Sequence, residues 1–353
     1  TSRLLDAIES AGNRVPHPAL LFFYLSLGVI LLSWFAAHLE WSAVHPLTGE
    51  KVVAFNLLSA EGLHRILEQT VSNFTRFAPV GTVLVAMLGI GIADRAGLLQ
   101  AIMRALVLRA PDRALTFAVV FAGVLSSLAA DAGYVVLIPL AATLFQASGR
   151  HPLAGIAAAF AGVSAGYSAN LLIGPLDAML AGISTEAAQL VDPDRTVSPA
   201  ANYYFMACST VIVAILASWI TERVVQPRLE RSTDTCVEPC SPGEFKPDTD
   251  EVRALRAVTW FSIVFVIAIL FALAPTGGIL RSADGGILNG PFVKGIVTAV
   301  AVYFAAAGSI YGLLSGCFRS SADIITSMEA SMAGMAGYLV LMFFAAQFIN
   351  YFA

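Results

Sequence analysis

The sequence predicts an all-α, polytopic membrane protein whose transmembrane helices are broken where they carry polar groups. Of the 353 residues, 58% are hydrophobic and 12% are charged, whereas soluble domains carry roughly 25% charged residues. The apolar residues form long blocks. The first runs from His17 to Leu39 without an acidic residue, lysine or arginine, and it exceeds the roughly 18 residues that indicate a membrane span. Glycine, proline and serine clusters interrupt several later blocks.

Charge and motifs exclude several classes of function. The net charge is −4 and no basic tract is present, so the sequence gives no sign of nucleic-acid binding. It also lacks the HExxH, Walker A and Gly-x-Ser-x-Gly motifs of common enzymes. No cleavable signal peptide is visible, which predicts a retained first span with a cytoplasmic N-terminus. Among the cysteines, Cys236 and Cys240 are interpreted as free thiols, and Cys208 and Cys317 as buried small hydrophobes.

The segment after the first span is ambiguous. A polar connection covers residues 40–64, and Arg65 to Leu99 then carries Arg76 and Pro79 near its middle. It is compatible with one long tilted helix or with a re-entrant helical hairpin whose tip lies at Ala78–Gly81, and we favour the hairpin. The arginine-rich stretch 94–113 then predicts an amphipathic interfacial helix followed by a loop.

Two further apolar blocks are interrupted near their middles. Residues 114–145 contain Ser-Ser-Leu-Ala-Ala-Asp-Ala-Gly at 126–133. Residues 152–182 contain Ser-Ala-Gly-Tyr-Ser-Ala-Asn at 164–170 and Gly-Pro-Leu-Asp at 174–177. Backbone groups that are unsatisfied in lipid cost several kcal/mol, so helices break there only where they line a cavity or are covered by protein.

Plain spans are predicted at residues 203–220, 258–274 and 292–314. Basic residues place the linker 224–256 in the cytoplasm, and acidic residues place the loop 185–199 outside. The last segment, 322–353, again has a polar first arm, a small-residue middle and an apolar second arm, which predicts a second hairpin. This likeness indicates inverted repeats, whose remaining partners would lie after Ala353, so we expect the sequence to continue beyond it.

These elements predict four regions. Residues 1–64 hold the first span and an outer loop, and residues 65–200 hold a transport core with the first hairpin and the broken helices. Residues 201–321 hold further spans and the linker, and are assigned to dimerisation. Residues 322–353 hold the second hairpin.

Two carboxylates in the interrupted blocks are the main candidates for chemistry. A charged side chain at mid-membrane costs at least roughly 2.5–3.5 kcal/mol, so Asp131 and Asp177 call for a role. The ends of broken helices suit anions at their N–H groups and Na⁺ or H⁺ at freed carbonyls beside a carboxylate. Asn170 precedes Asp177 by seven residues. Alternatives stay open: a structural ion pair, an intramembrane enzyme with paired aspartates, or a channel. For Ser126, Ser127, Ser164 and Ser168, bonding back to their own helices is the favoured role.

The motifs at 126–134 and 164–177, with Phe-Val-Lys-Gly-Ile at 292–296 and Ser-Met-Glu-Ala-Ser-Met-Ala-Gly at 327–334, resemble the AbgT family of p-aminobenzoyl-glutamate transporters. The resemblance covers nearly the whole chain and is close to the bacterial members linked with sulfonamide efflux. It implies nine membrane helices and two hairpins per subunit in a bowl-shaped homodimer of the bacterial inner membrane. It also implies transport of p-aminobenzoyl-glutamate, p-aminobenzoate or sulfonamides, driven by an ion gradient, and no enzymatic activity.

The resemblance further assigns the site. The family's intramembrane aspartate falls on Asp177 and its unwound Ser-Ala-Asn stretch on residues 168–170. The predicted substrate-binding residues are therefore Asp177, Asn170, Ser168, Gly174 and Pro175. The predicted Na⁺ ligands are Asp131, Ala132, Asn170 and Asp177, with H⁺ as the alternative coupling ion. The substrate is expected to be a small aromatic carboxylate. The family continues with a Trp-Ser-Asn motif directly after the position of Ala353, within the second half of its site.

Overall fold

The computed structural model describes residues 16–44, 49–129, 133–232, 248–275, 278–282, 286 and 290–352. Asp131, Ala132, Cys236 and Cys240 lie outside them. The described chain is helical apart from one two-stranded antiparallel sheet, in which β1 (Ser42–Val44) pairs with β2 (Lys51–Val53). The all-α prediction is therefore confirmed, with this short exposed hairpin as an addition inside the predicted polar connection.

The helices are listed here in chain order: α1 Pro18–His38, α2 Ala60–Thr75, α3 Ala78–Arg95, α4 Leu98–Leu108, α5 Leu115–Leu125, α6 Ile138–Ala147, α7 Pro152–Ala165, α8 Pro175–Gln189, α9 Tyr203–Ile220, α10 Gln226–Ser232, α11 Thr249–Leu273, α12 Pro291–Lys294, α13 Ile296–Leu314, α14 Ser321–Gly334 and α15 Ala336–Phe352. A 3₁₀ turn, Ser126–Ala129, follows α5, and a π-helical turn, Gly133–Leu137, precedes α6.

Within the described residues, five helical segments are long and apolar enough to cross a membrane. They are Pro18–His38, Ala60–Arg95, Tyr203–Leu229, Thr249–Leu273 and Ile296–Leu314. The pair α14 and α15 makes a sixth if it is counted as one span. The prediction of a multi-pass helical membrane protein is confirmed, and each predicted plain span corresponds to one of these segments.

The re-entrant hairpin predicted at 65–99 is wrong. Residues 78–81 form the first turn of α3 rather than a tip, and Ala60–Arg95 makes one candidate span of 36 residues with a break at Arg76–Phe77. Proline is tolerated in the first turn of a helix because the N–H that it lacks would have no partner there. Pro79 therefore starts α3 without reversing the chain.

The interruption predicted in the last segment is confirmed, but it is a bend rather than a reversal. Helix α14 ends at Gly334 and α15 begins at Ala336, with a 47° change of direction between them. Gly334 and Gly337 flank the break, and glycine is a poor helix former.

Three other expectations are adjusted. Helices extend into both ends of the predicted linker 224–256, since α10 ends at Ser232 and α11 begins at Thr249. Helix α8 extends to Gln189 and so occupies the start of the predicted loop 185–199. Cys208 and Cys317 are exposed rather than buried, although the Cys317 thiol donates to the Arg95 carbonyl at 3.7 Å.

The described chain forms two compact units. The first comprises Thr1–Gly81, Gly182–Val197 and Ala333–Ala353. In it, α15 packs against α1 and α2 through aromatic pairs such as Phe22–Phe348 and Phe74–Phe343. Polar groups accompany this packing: the Gln347 amide accepts a hydrogen bond from Asn73 Nδ2 (3.0 Å) and donates to the Thr70 carbonyl (2.9 Å).

The second unit comprises Thr82–Ala181 and Ser198–Met332. One part of its core brings α5, α6 and α7 together around Val120, Phe145 and Ala158, each almost fully buried. Small residues allow the backbones to approach closely, because a β-carbon at Gly162 would meet the Val120 backbone. Such small-residue contacts are typical of helix packing in membranes.

A second close helix contact in this unit joins α3 to α13, and we call it the glycine seam. A β-carbon at Gly89 would overlap the backbone of Ala301, and one at Gly308 would overlap the backbone of Ala93. Both glycines are therefore needed for the observed helix separation. Together these two close helix contacts hold the short helices around the interruptions that follow α5 and α7.

Candidate functional site

The interruption between α7 and α8 is the centre of the site. Helix α7 ends at Ala165, residues 166–174 are not helical, and α8 begins at Pro175. Proline is favoured at the first position of a helix. Asp177, two residues later, accepts a hydrogen bond from the Gly174 N–H at 2.7 Å through its Oδ2 atom. The Gly-Pro-Leu-Asp sequence thus both breaks the block and starts the next helix.

Asn170 connects this non-helical segment to the interruption after α5. Its side chain is 6% exposed, and its Nδ2 atom donates to the Ser127 hydroxyl oxygen at 2.9 Å. Its Oδ1 atom accepts from the N–H groups of Leu171 (2.8 Å) and Leu172 (3.2 Å). Because the side chain satisfies backbone groups that a helix would otherwise pair, it stabilises the break.

A cavity of about 290 Å³ lies beside these residues. Polar and apolar groups share its walls, which are formed by Ser127, Leu128, Tyr167, Ser168, Asn170, Gly174, Pro175, Leu176, Asp177, Met179, Leu180, Asn202 and Met206. Its volume is close to the lower end of the roughly 300–1,000 Å³ of small-molecule sites, which combine apolar walls with a few polar groups. The arrangement suits a small molecule with an apolar body and polar substituents.

All five residues predicted to bind substrate line this one cavity: Asp177, Asn170, Ser168, Gly174 and Pro175. Their role in binding stays a prediction. Asn170 and Asp177 do not share a helical face, because the chain between them is not helical up to Gly174.

The four serines behave in three ways. Ser126 and Ser127 donate back to carbonyls of α5, at Gly123 (2.6 Å) and Val124 (3.0 Å), as the sequence indicates. Ser164 instead makes a side-chain hydrogen bond with Tyr134 (3.1 Å). Ser168 is exposed on the cavity wall.

The cavity also has lining residues that sequence reasoning did not assign to the site: Leu128, Tyr167, Leu176, Met179, Leu180, Asn202 and Met206. Asn202 and Met206 are distant in sequence from the broken block. The adjacent Tyr203 donates its hydroxyl to the Leu171 carbonyl at 3.2 Å, which brings the start of α9 to the site. Nothing local in the sequence marks Asn202 and Met206, whereas Tyr167 lies inside the predicted interruption at 164–170.

The predicted Na⁺ ligands are only partly described. Asp131 and Ala132 lie outside the described residues. Asn170 Oδ1 already accepts two backbone hydrogen bonds, and Asp177 Oδ2 accepts one. No group of three or more His, Cys, Asp or Glu residues close enough to hold a metal ion occurs in the described part of the chain. Na⁺ coordination here stays a prediction.

The first unit contains a separate polar cavity of about 300 Å³. Its walls are formed by Gln69, Ser72, Asn73, Arg76, Phe77, Glu186 and Asn350. Glu186 Oε1 accepts from the Ala78 N–H at 3.3 Å, at the break before α3. Asn73 and Arg76, polar residues of the segment whose sequence was ambiguous, therefore face this cavity.

A family model described as "AbgT putative transporter family" matches residues 3–353. The p-aminobenzoyl-glutamate transport protein of Escherichia coli strain K12 is 38% identical over 354 residues, covering 100% of this chain and 69% of that protein.

Two solved structures are also similar. The Alcanivorax borkumensis YdaH transporter, described as having an unusual topology, superposes with a TM-score of 0.87 at 48% identity, covering 96% of this chain and 70% of that one. Neisseria gonorrhoeae MtrF, described within a class of antimetabolite efflux pumps, superposes with a TM-score of 0.92 at 40% identity, covering 99% and 71%.

Proposed function

The chain belongs to the AbgT family of transporters, and from this premise we propose that it carries small aromatic carboxylates across the bacterial inner membrane. The proposed substrates are p-aminobenzoyl-glutamate and p-aminobenzoate, with efflux of sulfonamide antimetabolites by the same site. The sequence lacks the common enzyme motifs, and the named relatives are transporters. A homodimer is the proposed assembly.

One observation supports the substrate class most directly: the cavity at the break between α7 and α8. It places the amide of Asn170, the carboxylate of Asp177 and the hydroxyl of Ser168 beside apolar walls that include Leu128 and Met206. An aromatic ring with polar substituents matches this combination of apolar walls and polar groups. Because the polar groups sit where the helix is interrupted, binding and helix geometry are linked at one place.

Coupling to an ion gradient is part of the proposal. Asp177 takes part whether the coupling ion is H⁺ or Na⁺, because a carboxylate can take up a proton or contribute an oxygen to Na⁺. Proton coupling requires this one group. Sodium coupling requires several more oxygens, for which Asp131, Ala132 and Asn170 are the proposed sources.

The test is transport by the purified protein in proteoliposomes. Labelled p-aminobenzoate flux would be measured with a Na⁺ gradient alone, with a proton gradient alone and with neither. We expect one of the two gradients to drive saturable flux above that of the control without a gradient. Flux that is gradient-independent and does not saturate would indicate a channel and contradict the proposal.

Asp177→Asn is the diagnostic variant. Its amide oxygen can still accept from the Gly174 N–H, so the local structure is kept while the charge is lost. We expect gradient-driven flux to fall at least tenfold, equivalent to about 1.4 kcal/mol or more. The matched control is Asp194→Asn, which removes an exposed carboxylate from the loop after α8. Wild-type flux in the Asp177 variant would refute the assigned role of this residue.

A further inference from the structure

A groove remote from the candidate site lies between α4, α5 and α11. Its volume is about 660 Å³. One wall presents Ile102 and Leu106 on α4 and Arg109 directly after its end, at helical spacing. The opposite wall is the face of α11 that presents Arg256 and Trp260, which are one turn apart. The groove is therefore apolar along its length and carries two arginines.

The walls of the groove are held together by an ion pair. Arg104 of α4 and Glu251 of α11 lie 2.6 Å apart, and each side chain is only about a quarter exposed. This pair neutralises Arg104. Within the described part of the chain, neither Arg109 nor Arg256 has an ion-pair partner, and both are exposed. The groove thus combines a fixed shape with two positive charges that nothing described balances.

The surroundings of the groove resemble the boundary between lipid headgroups and hydrocarbon. Trp260 is 69% exposed, and tryptophan concentrates at that boundary. Only Ala254 and Val258 of α11 are buried within the described residues, so most of this apolar helix is left uncovered by them. Arg256 lies one turn towards the polar N-terminal end of α11, where Asp250 and Glu251 begin the helix.

We propose that this groove is a binding site for one anionic membrane phospholipid. Its phosphate would contact Arg109 and Arg256, and an acyl chain would lie along Ile102 and Leu106 beside Trp260. Basic pockets between transmembrane helices are known binding places for anionic headgroups. Charge complementarity selects this occupant, because a zwitterionic lipid brings a choline cation together with its phosphate, and an apolar protein surface would leave both guanidinium groups unpaired. The site is independent of the transported substrate.

Brominated lipids test this directly, because bromine quenches tryptophan at contact. The protein would carry Trp260 alone, after Trp34, Trp41 and Trp219 are changed to Phe; all three are about half exposed, which makes the changes mild. Two sets of vesicles would share one composition of phosphatidylcholine with a minor fraction of phosphatidylglycerol. The bromine would be on the phosphatidylglycerol in one set, and on an equal fraction of the phosphatidylcholine in the other.

We expect stronger quenching by brominated phosphatidylglycerol. In Arg109→Gln/Arg256→Gln the preference should fall by about twenty-five-fold, because each arginine near an anionic surface contributes roughly fivefold. The control Arg228→Gln/Arg319→Gln removes two exposed arginines outside the groove and should keep the preference.

Two results would overturn the proposal without relying on the arginine variants. Equal quenching by both lipids in the parent protein would show that the groove does not select an anionic headgroup. Absence of quenching by either lipid would show that protein, such as a second copy of the chain, covers the groove.

Discussion

At the scale of single residues, Asp177 has a structural contact as well as its proposed role in transport. Its Oδ2 atom accepts the Gly174 N–H, which satisfies one of the donors that the start of a helix leaves without a partner. A negative charge in the first turn also interacts favourably with the helix dipole. A loss of transport on mutation therefore has to be separated from a loss of stability.

Asp177→Ala is expected to lower the free energy of unfolding by about 1 kcal/mol, because it removes this N-terminal cap. Asp177→Asn should lose less than half of that, since its amide still accepts the hydrogen bond. Thermal unfolding in one detergent, followed by intrinsic fluorescence, would compare the two variants. Equal stability of Asp177→Ala and the wild type would mean that the cap contributes nothing.

At the scale of elements, the positions of the helix breaks could be predicted from the sequence. The direction that the chain takes after each break could not. Gly174-Pro175 and Ser126-Ser127 are local signals, so the interruptions after α7 and α5 could be placed from sequence. Pro79 marks a break before α3 in a similar way. There, however, polar groups far along the chain form hydrogen bonds with the backbone. The Tyr338 hydroxyl donates to the Pro79 carbonyl (2.8 Å), and Glu186 accepts from Ala78. With these partners the helix continues, which no local pattern reveals.

Gln347 shows how α2 and α15 hold polar groups among aromatic rings. Its amide is 5% exposed and bonds to both Asn73 and Thr70. Gln347→Leu should lower the free energy of unfolding by roughly 1 kcal/mol, because it removes two interhelical hydrogen bonds and each contributes about 0.6 kcal/mol on average in a membrane protein. Calibrated thermal unfolding in detergent would measure it.

The control for that variant is Gln100→Leu on α4. Gln100 has the same amide, is partly exposed and makes no side-chain hydrogen bond to another described residue. A loss of stability in Gln100→Leu as large as that in Gln347→Leu would argue against a specific contribution from the Asn73 contact.

At the scale of the whole molecule, the sequence predicted the class and missed the tertiary partners of the site. Long apolar blocks determine a multi-pass helical protein whatever their order. The approach of Asn202 and Met206 to Asp177 depends on how α9 packs, which is a property of the folded chain. The candidate site was therefore predictable for the residues of one broken block, but its far wall was not.

Orientation in the membrane is the prediction at this scale. Basic residues place the linker between α10 and α11 in the cytoplasm, and acidic residues place the loop after α8 outside. In a Cys208→Ser/Cys317→Ser background, Cys236 and Cys240 should react with a membrane-impermeant maleimide only after spheroplasts are permeabilised.

The matched reporter for the outer loop is Asp194→Cys with all four native cysteines changed to Ser. It should react in intact spheroplasts, because the loop after α8 is predicted to face outward. Labelling of Cys236 and Cys240 in intact spheroplasts, or protection of the Asp194 reporter there, would reverse or refute the proposed orientation.

The glycine seam between α3 and α13 has a genetic consequence. At Gly89 and Gly308, neighbouring backbone occupies the volume that any β-carbon would need. Every missense change at these two codons therefore adds atoms where there is no room, and alanine is the mildest of them. Neither codon has a conservative replacement, so we expect missense alleles at this seam to impair folding unless a second change lets the two helices move apart.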